Sequence, residues 1–215
     1  MNGWVVGASG AWGRAVALEL IRRGWDVTAL GRHDVPELAA WAARQGGRWR
    51  HRPLDLMSPD LETLDGTPYA LFLCSAATEG SRASLVQANY LGPAAVITEV
   101  AGRMSAAGGG RIGVFVGQNA RLGLRGLGDY SAGQGALWTW CEAFQAEPDR
   151  YPGVTMTRVI PPRTASPTQR YLSETSGHSA KLSPPKAAPL VSAVLAGRRS
   201  AGRRPLGAAL SMLLR

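Results

Sequence analysis

The sequence predicts an α/β domain built on a doubly wound parallel sheet of six or seven strands. Three observations carry that expectation. Apolar stretches of strand length alternate with amphipathic stretches of about ten residues or more, the pattern of repeated β-α units. The first unit joins its strand to its helix through a glycine-rich turn, GASGAWG, from Gly7 to Gly13. A chain of 215 residues suffices for one such domain with a real core. No internal repeat or linker divides it, so 1–215 reads as a single domain.

The elements follow in order. Trp4, Val5 and Val6 form the first strand, Ala11 to Arg23 the first helix, and a second strand ends at Arg32. Asp34 and Pro36 fit a helix start, and Glu37 to Arg44 make a short helix with Trp41 on its buried side. Trp49 to Leu54 form the third strand, closing on Asp55 and Leu56, and Tyr69 to Cys74 the fourth. Leu85, Ala88, Val96 and Val100 recur at helical intervals and predict one long helix from about Ala83 to Met104. A strand from Arg111 to Val116 then leads into a Gly-rich loop, Gly117 to Gly128. A helix from Ser131 to Gln145 and a sixth strand from Val154 to Ile160 follow. Residues 161–187 are rich in Pro, Ser and Thr and lack periodicity. Ala187 to Ala196 and Leu206 to Leu214 read as the last helices, and 197–215 as a basic tail.

The opening unit has the makings of a phosphate site. Gly7 permits a sharp exit from the strand, and the missing side chain at Gly10 lets the backbone approach a pyrophosphate. Gly13 lets the helix lie close to the strand, so that its first N–H groups face the anion. The spacing G-x-x-G-x-x-G is a variant of the dinucleotide fingerprint, in the strand–turn–helix context that the fingerprint requires. No carboxylate ends the second strand to hold a ribose 2′-hydroxyl. Arg32 and Arg14 are instead placed to grip a 2′-phosphate, which predicts NADP(H) over NAD(H).

Composition narrows the partners. Two cysteines, Cys74 and Cys141, form neither a disulfide framework nor a metal cluster, and a reducing cytoplasm is expected. No apolar run reaches the roughly 18 residues of a membrane span. The net charge of +9 is uneven: residues 1–149 carry 13 Lys/Arg against 14 Asp/Glu, and residues 150–215 carry 11 against one, Glu174. The basic residues are scattered and accompanied only by Tyr151 and Tyr171, which argues against nucleic acid and for a solvated face or an anionic substrate.

From about Gly3 to Ala196 the chain resembles the short-chain dehydrogenase/reductase family. GASGAWGRAVALELIRRGWDV is similar to the family's Rossmann-like nucleotide-binding start, with Ala11 where a glycine is usual. Asp55-Leu56 stands where the family places an acid near the adenine, and Cys74-Ser75-Ala76-Ala77 where it has Asn-Asn-Ala-Gly. Asn89 in QANYLG resembles its structural and catalytic asparagine. Tyr130 to Gln134 (YSAGQ) matches Tyr-x-x-x-Lys, and Pro161-Pro162 matches Pro-Gly. The resemblance implies a nicotinamide cofactor contacted by Gly7, Ser9, Gly10, Ala11, Trp12 and Gly13, and by Arg14, Arg32, Asp55 and Leu56. Ser75, Ala76, Gln134 and Pro161 complete that set. It also implies Tyr130 as the proton donor, Asn89 holding a water behind the site, a covering role for 161–187, and a homodimer or homotetramer built on the two long helices.

Two departures weigh as much as the matches. The family's serine position falls on Gly117 and its lysine position on Gln134. The lost hydroxyl removes one oxyanion donor, for which the amides of Gln118 or Asn119 are candidates. Gln134 can bind a ribose hydroxyl but brings no charge. The Tyr130 phenol is then expected to stay protonated at neutral pH, suited to donation and poor as a base.

The leading expectation is therefore an NADP(H)-dependent reductase of a carbonyl, imine or enone in a small molecule of secondary metabolism. The alternative is a redox-silent cyclase, dehydratase or isomerase with Tyr130 as general acid, and a non-catalytic nucleotide-binding protein comes third. His178 lies in the covering segment, as a surface residue or an acid. His33 and His51 read as rim or surface residues, Cys74 as a small hydrophobe, and Trp138 and Trp140 as core or subunit contacts.

Overall fold

The computed structural model describes residues 1–123, 125–162, 164 and 185–202. Seven strands form one parallel sheet: β1 (Asn2–Val6), β2 (Asp26–Leu30), β3 (Trp49–Arg52), β4 (Ala70–Leu73), β5 (Gly110–Phe115), β6 (Val154–Ile160) and β7 (Ser200–Gly202). Their order is β3-β2-β1-β4-β5-β6-β7, and every neighbouring pair is parallel. The fold is the expected doubly wound, Rossmann-like one. The strand order reverses between β1 and β4, which opens a crevice at their carboxyl ends.

Burial on both faces explains why the central strands are continuously apolar, as in the fully buried Ala70–Leu73. Helices α1 (Ala11–Arg22), α2 (Glu37–Arg44) and α6 (Ala188–Leu195) cover one face. There Val16, Ala17 and Leu20 of α1 share a core with Leu190, Val191 and Val194 of α6, and Arg23 donates to Ser192 Oγ at 2.8 Å. On the other face α4 (Gly92–Ala106) and α5 (Gly128–Ala146) pack through Val96, Ile97, Val100, Met104, Leu137 and Cys141, and the short α3 (Arg82–Val86) lies beside α5.

Three expectations need correction. Trp41 is not on the buried side of α2: it is 37% exposed, and its ring lies between the guanidinium groups of Arg22 and Arg44, at 6.0 and 5.8 Å. Leu38 and Ala42 make the buried side instead.

The single long helix from Ala83 to Met104 is interrupted by a π-turn, Gln87–Leu91. Pro93 has no N–H to return to the carbonyl four residues back, at Asn89, so the ladder loosens where a wider turn can form. A Cβ on Gly92 would run into the carbonyl oxygen of Leu56, so the widened helix lies directly on the segment after β3.

The segment 197–215 is not all tail, because Ser200–Gly202 adds the seventh strand beside β6. The expected helix from Leu206 to Leu214 lies outside the described residues, as do His178 and most of 161–187.

Candidate active site

A cleft of about 630 Å³ opens at the carboxyl ends of the central strands. At its floor, Gly7 takes φ +80°, and its N–H donates to Leu30 O at 2.9 Å. A Cβ on Gly13 would run into the Gly7 carbonyl oxygen, so α1 lies against the turn as closely as a backbone permits. Gly10 begins α1, with no side chain capping it and no acid in the first turn. The first N–H groups of α1 therefore face the cleft with the positive end of the helix dipole. Gly7, Ser9, Gly10, Ala11 and Trp12 line the cleft, whereas Gly13 and Arg14 do not.

At one end the cleft is bounded by the segments after β2 and β3, with Arg32, His33, Asp55 and Leu56 in its wall. Arg14 points elsewhere, into an ion pair with Glu37 at 2.6 Å. The Glu37 carboxyl is held below the usual carboxylate range by a backbone hydrogen bond within its own residue and then by Arg14. Asp55 Oδ1 accepts from the Met57 N–H at 2.9 Å. His51 Nε2 lies 2.9 Å from Gly31 O.

At the other end, Tyr130 is the third residue of α5, 3% exposed, with its side chain in the cleft wall. Behind it runs a chain of amides. The Gly117 N–H donates to Gln134 Oε1 at 2.8 Å, and Gln134 Nε2 donates to Asn89 Oδ1 at 3.3 Å. Asn89 grips both backbone groups of Ala77: its Oδ1 accepts from the N–H at 3.0 Å and its Nδ2 donates to the carbonyl at 2.8 Å. Asn89 and Gln134 are 0% and 1% exposed. The end of β5, helix α5, the π-turn and the exit of β4 are thus tied by uncharged groups. Asn89 Oδ1 thus accepts from both Gln134 and Ala77.

Gln134, Gly117, Gln118 and Pro161 also line the cleft, and Gln118 Nε2 reaches Pro161 O at 3.5 Å, the outer limit of a hydrogen bond. Ser75 and Ala76 line it at the exit of β4, where Ser75 Oγ is buried without a partner among the described residues. A Cβ on Gly7 would come within 3.0 Å of Ser75, so the two segments touch.

Cys74 lies in the same wall, and burial pushes its thiol strongly up, which suits a small hydrophobe. Trp138 is buried with the Arg158 guanidinium 4.3 Å above its ring, and Trp140 packs partly buried against the same core. Among the described residues no His/Cys/Asp/Glu group could hold a metal ion, and no helix is long and apolar enough to cross a membrane.

The cleft contains residues the sequence did not single out: Glu79, Ser84, Phe115, Leu122 and Thr164. Only Glu79 carried a readable sign, as a lone acid five residues past the end of the fourth strand.

No protein-family model matches the chain, and no curated protein matches it. Solved structures do. An acetoin dehydrogenase from Enterobacter cloacae superposes with a TM-score of 0.79 at 19% identity, over 94% of this chain and 92% of that one. An alcohol dehydrogenase from the archaeon Thermococcus sibiricus, complexed with 5-hydroxy-NADP, gives 0.74 at 18% identity, over 95% and 96%. A single-substitution variant of the actinorhodin polyketide ketoreductase, with NADPH, gives 0.72 at 21% identity, over 99% and 88%. At these identities the likeness is one of fold.

Proposed function

We propose that the chain is an NADP(H)-dependent reductase of the short-chain dehydrogenase type. Its substrate is a carbonyl, imine or enone in a small molecule of secondary metabolism. One observation carries the reading. A single cleft joins an uncapped helix N-terminus at one point to a buried tyrosine at another. The glycine cradle, the open N–H groups of α1 and the orphaned Ser75 Oγ fit a dinucleotide with its phosphates at the turn. The two neighbours with NADPH and 5-hydroxy-NADP support that choice.

In this reading Gly7, Ser9, Gly10, Ala11 and Trp12 hold the pyrophosphate region, and Arg32 the 2′-phosphate. Asp55 and Leu56 border the adenine, while Ser75, Ala76, Gln134 and Pro161 border the nicotinamide half. The cofactor, when bound, supplies the hydride. Tyr130 donates its phenolic proton to the oxygen or nitrogen that gains charge. Gln134 and Asn89 position the β4 and β5 ends around it, and Gln118 is the remaining amide donor at the mouth. Segment 161–187 covers the substrate and 197–215 ends in a basic tail. Helices α4 and α5 build a homodimer or homotetramer in a cytoplasmic setting, with neither membrane nor nucleic acid as partner.

Gln134 also favours a second reading. A neutral amide bonded to Gly117 and Asn89 stands where a charged lysine would serve redox chemistry. A redox-silent cyclase, dehydratase or isomerase with Tyr130 as general acid needs no such charge. Calorimetric titration with NADPH and NADH, followed by product analysis with and without the reduced cofactor, tests both. Tighter NADPH binding with a product two electrons reduced supports the reductase. Turnover that is unchanged without cofactor supports the alternative.

A further inference from the structure

We infer that Glu79 is the recognition group for a positively charged substrate, one that presents a protonated amine beside the part of the molecule that reaches Tyr130. The inference rests on the reading of this cleft as the substrate site.

Glu79 shares the cleft wall with Tyr130. Both ends of its loop are fastened to the reacting end. Two residues before it, Ala77 is held through its N–H and its carbonyl by the buried Asn89. Three residues after it, Arg82 pairs with Asp129 at 2.9 Å, and Asp129 is the residue before Tyr130. Glu79, itself exposed, thus lies in sequence between a buried tether at Ala77 and a surface ion pair next to Tyr130.

Nothing among the described residues neutralises it. Glu79 forms no ion pair there, and Arg82, the nearest cation in sequence, is taken by Asp129. Arg32 lines the cleft after β2, two strands away from β4, and forms no ion pair with Glu79.

The described wall also carries the apolar residues Phe115, Leu122, Pro161 and Pro162, with the uncharged polar groups of Ser84, Gln118 and Thr164 among them. Trp12 adds a second ring, its centroid 6.0 Å from that of Phe115. A carboxylate with no ion-pair partner among the described residues, in a cleft that also holds the rings of Trp12 and Phe115, is a setting for an organic cation with an apolar body. It repels a carboxylate or phosphate. This is opposite in sign to what the basic segment 161–187 suggested.

The test uses three probes of one shape: benzylammonium, benzyl alcohol and benzoate. Each is titrated calorimetrically into the full chain, with and without saturating NADPH. Wild type is expected to bind benzylammonium about tenfold more tightly than benzyl alcohol, and benzoate least. Glu79→Gln should abolish the preference for the cation, and Glu79→Lys should turn it toward benzoate. Equal binding of the three probes by wild type overturns the assignment, and so does a cation preference that survives in Glu79→Gln. NADPH binding is measured in the same samples. A cation preference without NADPH binding upholds Glu79 and removes the reductase reading, and NADPH binding without the preference does the reverse.

Discussion

The backbone N–H of Gly117 donates to the side-chain oxygen of Gln134 at 2.8 Å, across 17 residues of sequence. That bond gives Gln134 a task that a lysine cannot perform, because an ammonium has no acceptor. Gln134→Lys should leave the Gly117 N–H unpaired and put a charge among buried amides. The expected cost is about 1–3 kcal/mol, a fall in Tm of roughly 5 °C by thermal denaturation. Gln134→Leu should cost a similar amount. Unchanged melting of both variants would show that the bond contributes nothing.

Tyr130→Phe keeps the ring and removes the proton. Turnover should fall on the order of 100-fold with the cofactor dissociation constant unchanged. Steady-state rates and a parallel NADPH titration check this. Nearly full activity would make Tyr130 a packing residue.

The two arginines expected at the 2′-phosphate have different fates. Arg32 lines the cleft, and Arg14 is held by Glu37 at 2.6 Å. Arg32→Ala should therefore reduce the preference for NADPH over NADH about tenfold or more, and Arg14→Ala should leave it within about twofold. Titrating both cofactors into both variants separates the two. A larger effect at Arg14 would mean that its pair with Glu37 breaks when ligand binds.

Gly10 and Gly13 should also separate. A Cβ at Gly13 collides with the Gly7 carbonyl, whereas one at Gly10 comes no closer than 3.3 Å to that same oxygen. Gly13→Ala is expected to destabilise the fold by about 2 kcal/mol or more. Gly10→Ala should melt near wild type yet bind NADPH more weakly, since its methyl stands where phosphate approaches. Urea melts and calorimetry on the pair decide it.

Burial pushes the Cys141 thiol up from 9.0 to about 12, against the opposing pull of Arg158. Between these values the unfolded chain loses the proton and the folded chain keeps it. The unfolded state then binds fewer protons, so stability falls as pH rises through that window and is insensitive to this thiol below it. Cys141→Ala should flatten the decline in urea midpoint from about pH 9 upward, whatever its effect on the midpoint at neutral pH.

The sheet was legible because its strands are buried on both faces and read as apolar runs, Ala70–Leu73 above all. The tight turn at Gly7 was legible because glycine is the residue whose absence of a side chain such a turn needs. Trp41 was misplaced because the sequence shows a large apolar residue and cannot show the arginines from two helices that shelter it in the open. The π-turn escaped because apolar spacing hardly changes when one residue is added to a turn. At the site, the neutral amide of Gln134 was plain in the sequence. Its partner was not, because a backbone N–H such as that of Gly117 leaves no mark in the sequence. Glu79 was passed over for a related reason: only the anchoring of its loop distinguishes it from any solvated acid.

Helix α1, which follows the glycine turn, has its apolar side closed by α6, and β7 joins the sheet only after α6. On a ribosome, Arg22 and Ala188 emerge on the order of ten seconds apart at ordinary rates of translation. Through that interval Val16, Ala17 and Leu20 have no cover from Leu190, Val191 and Val194. The nascent chain thus carries its glycine turn early but on an unfinished support. Competence to hold a ligand arrives late, and until then chaperones have an apolar helix face to hold.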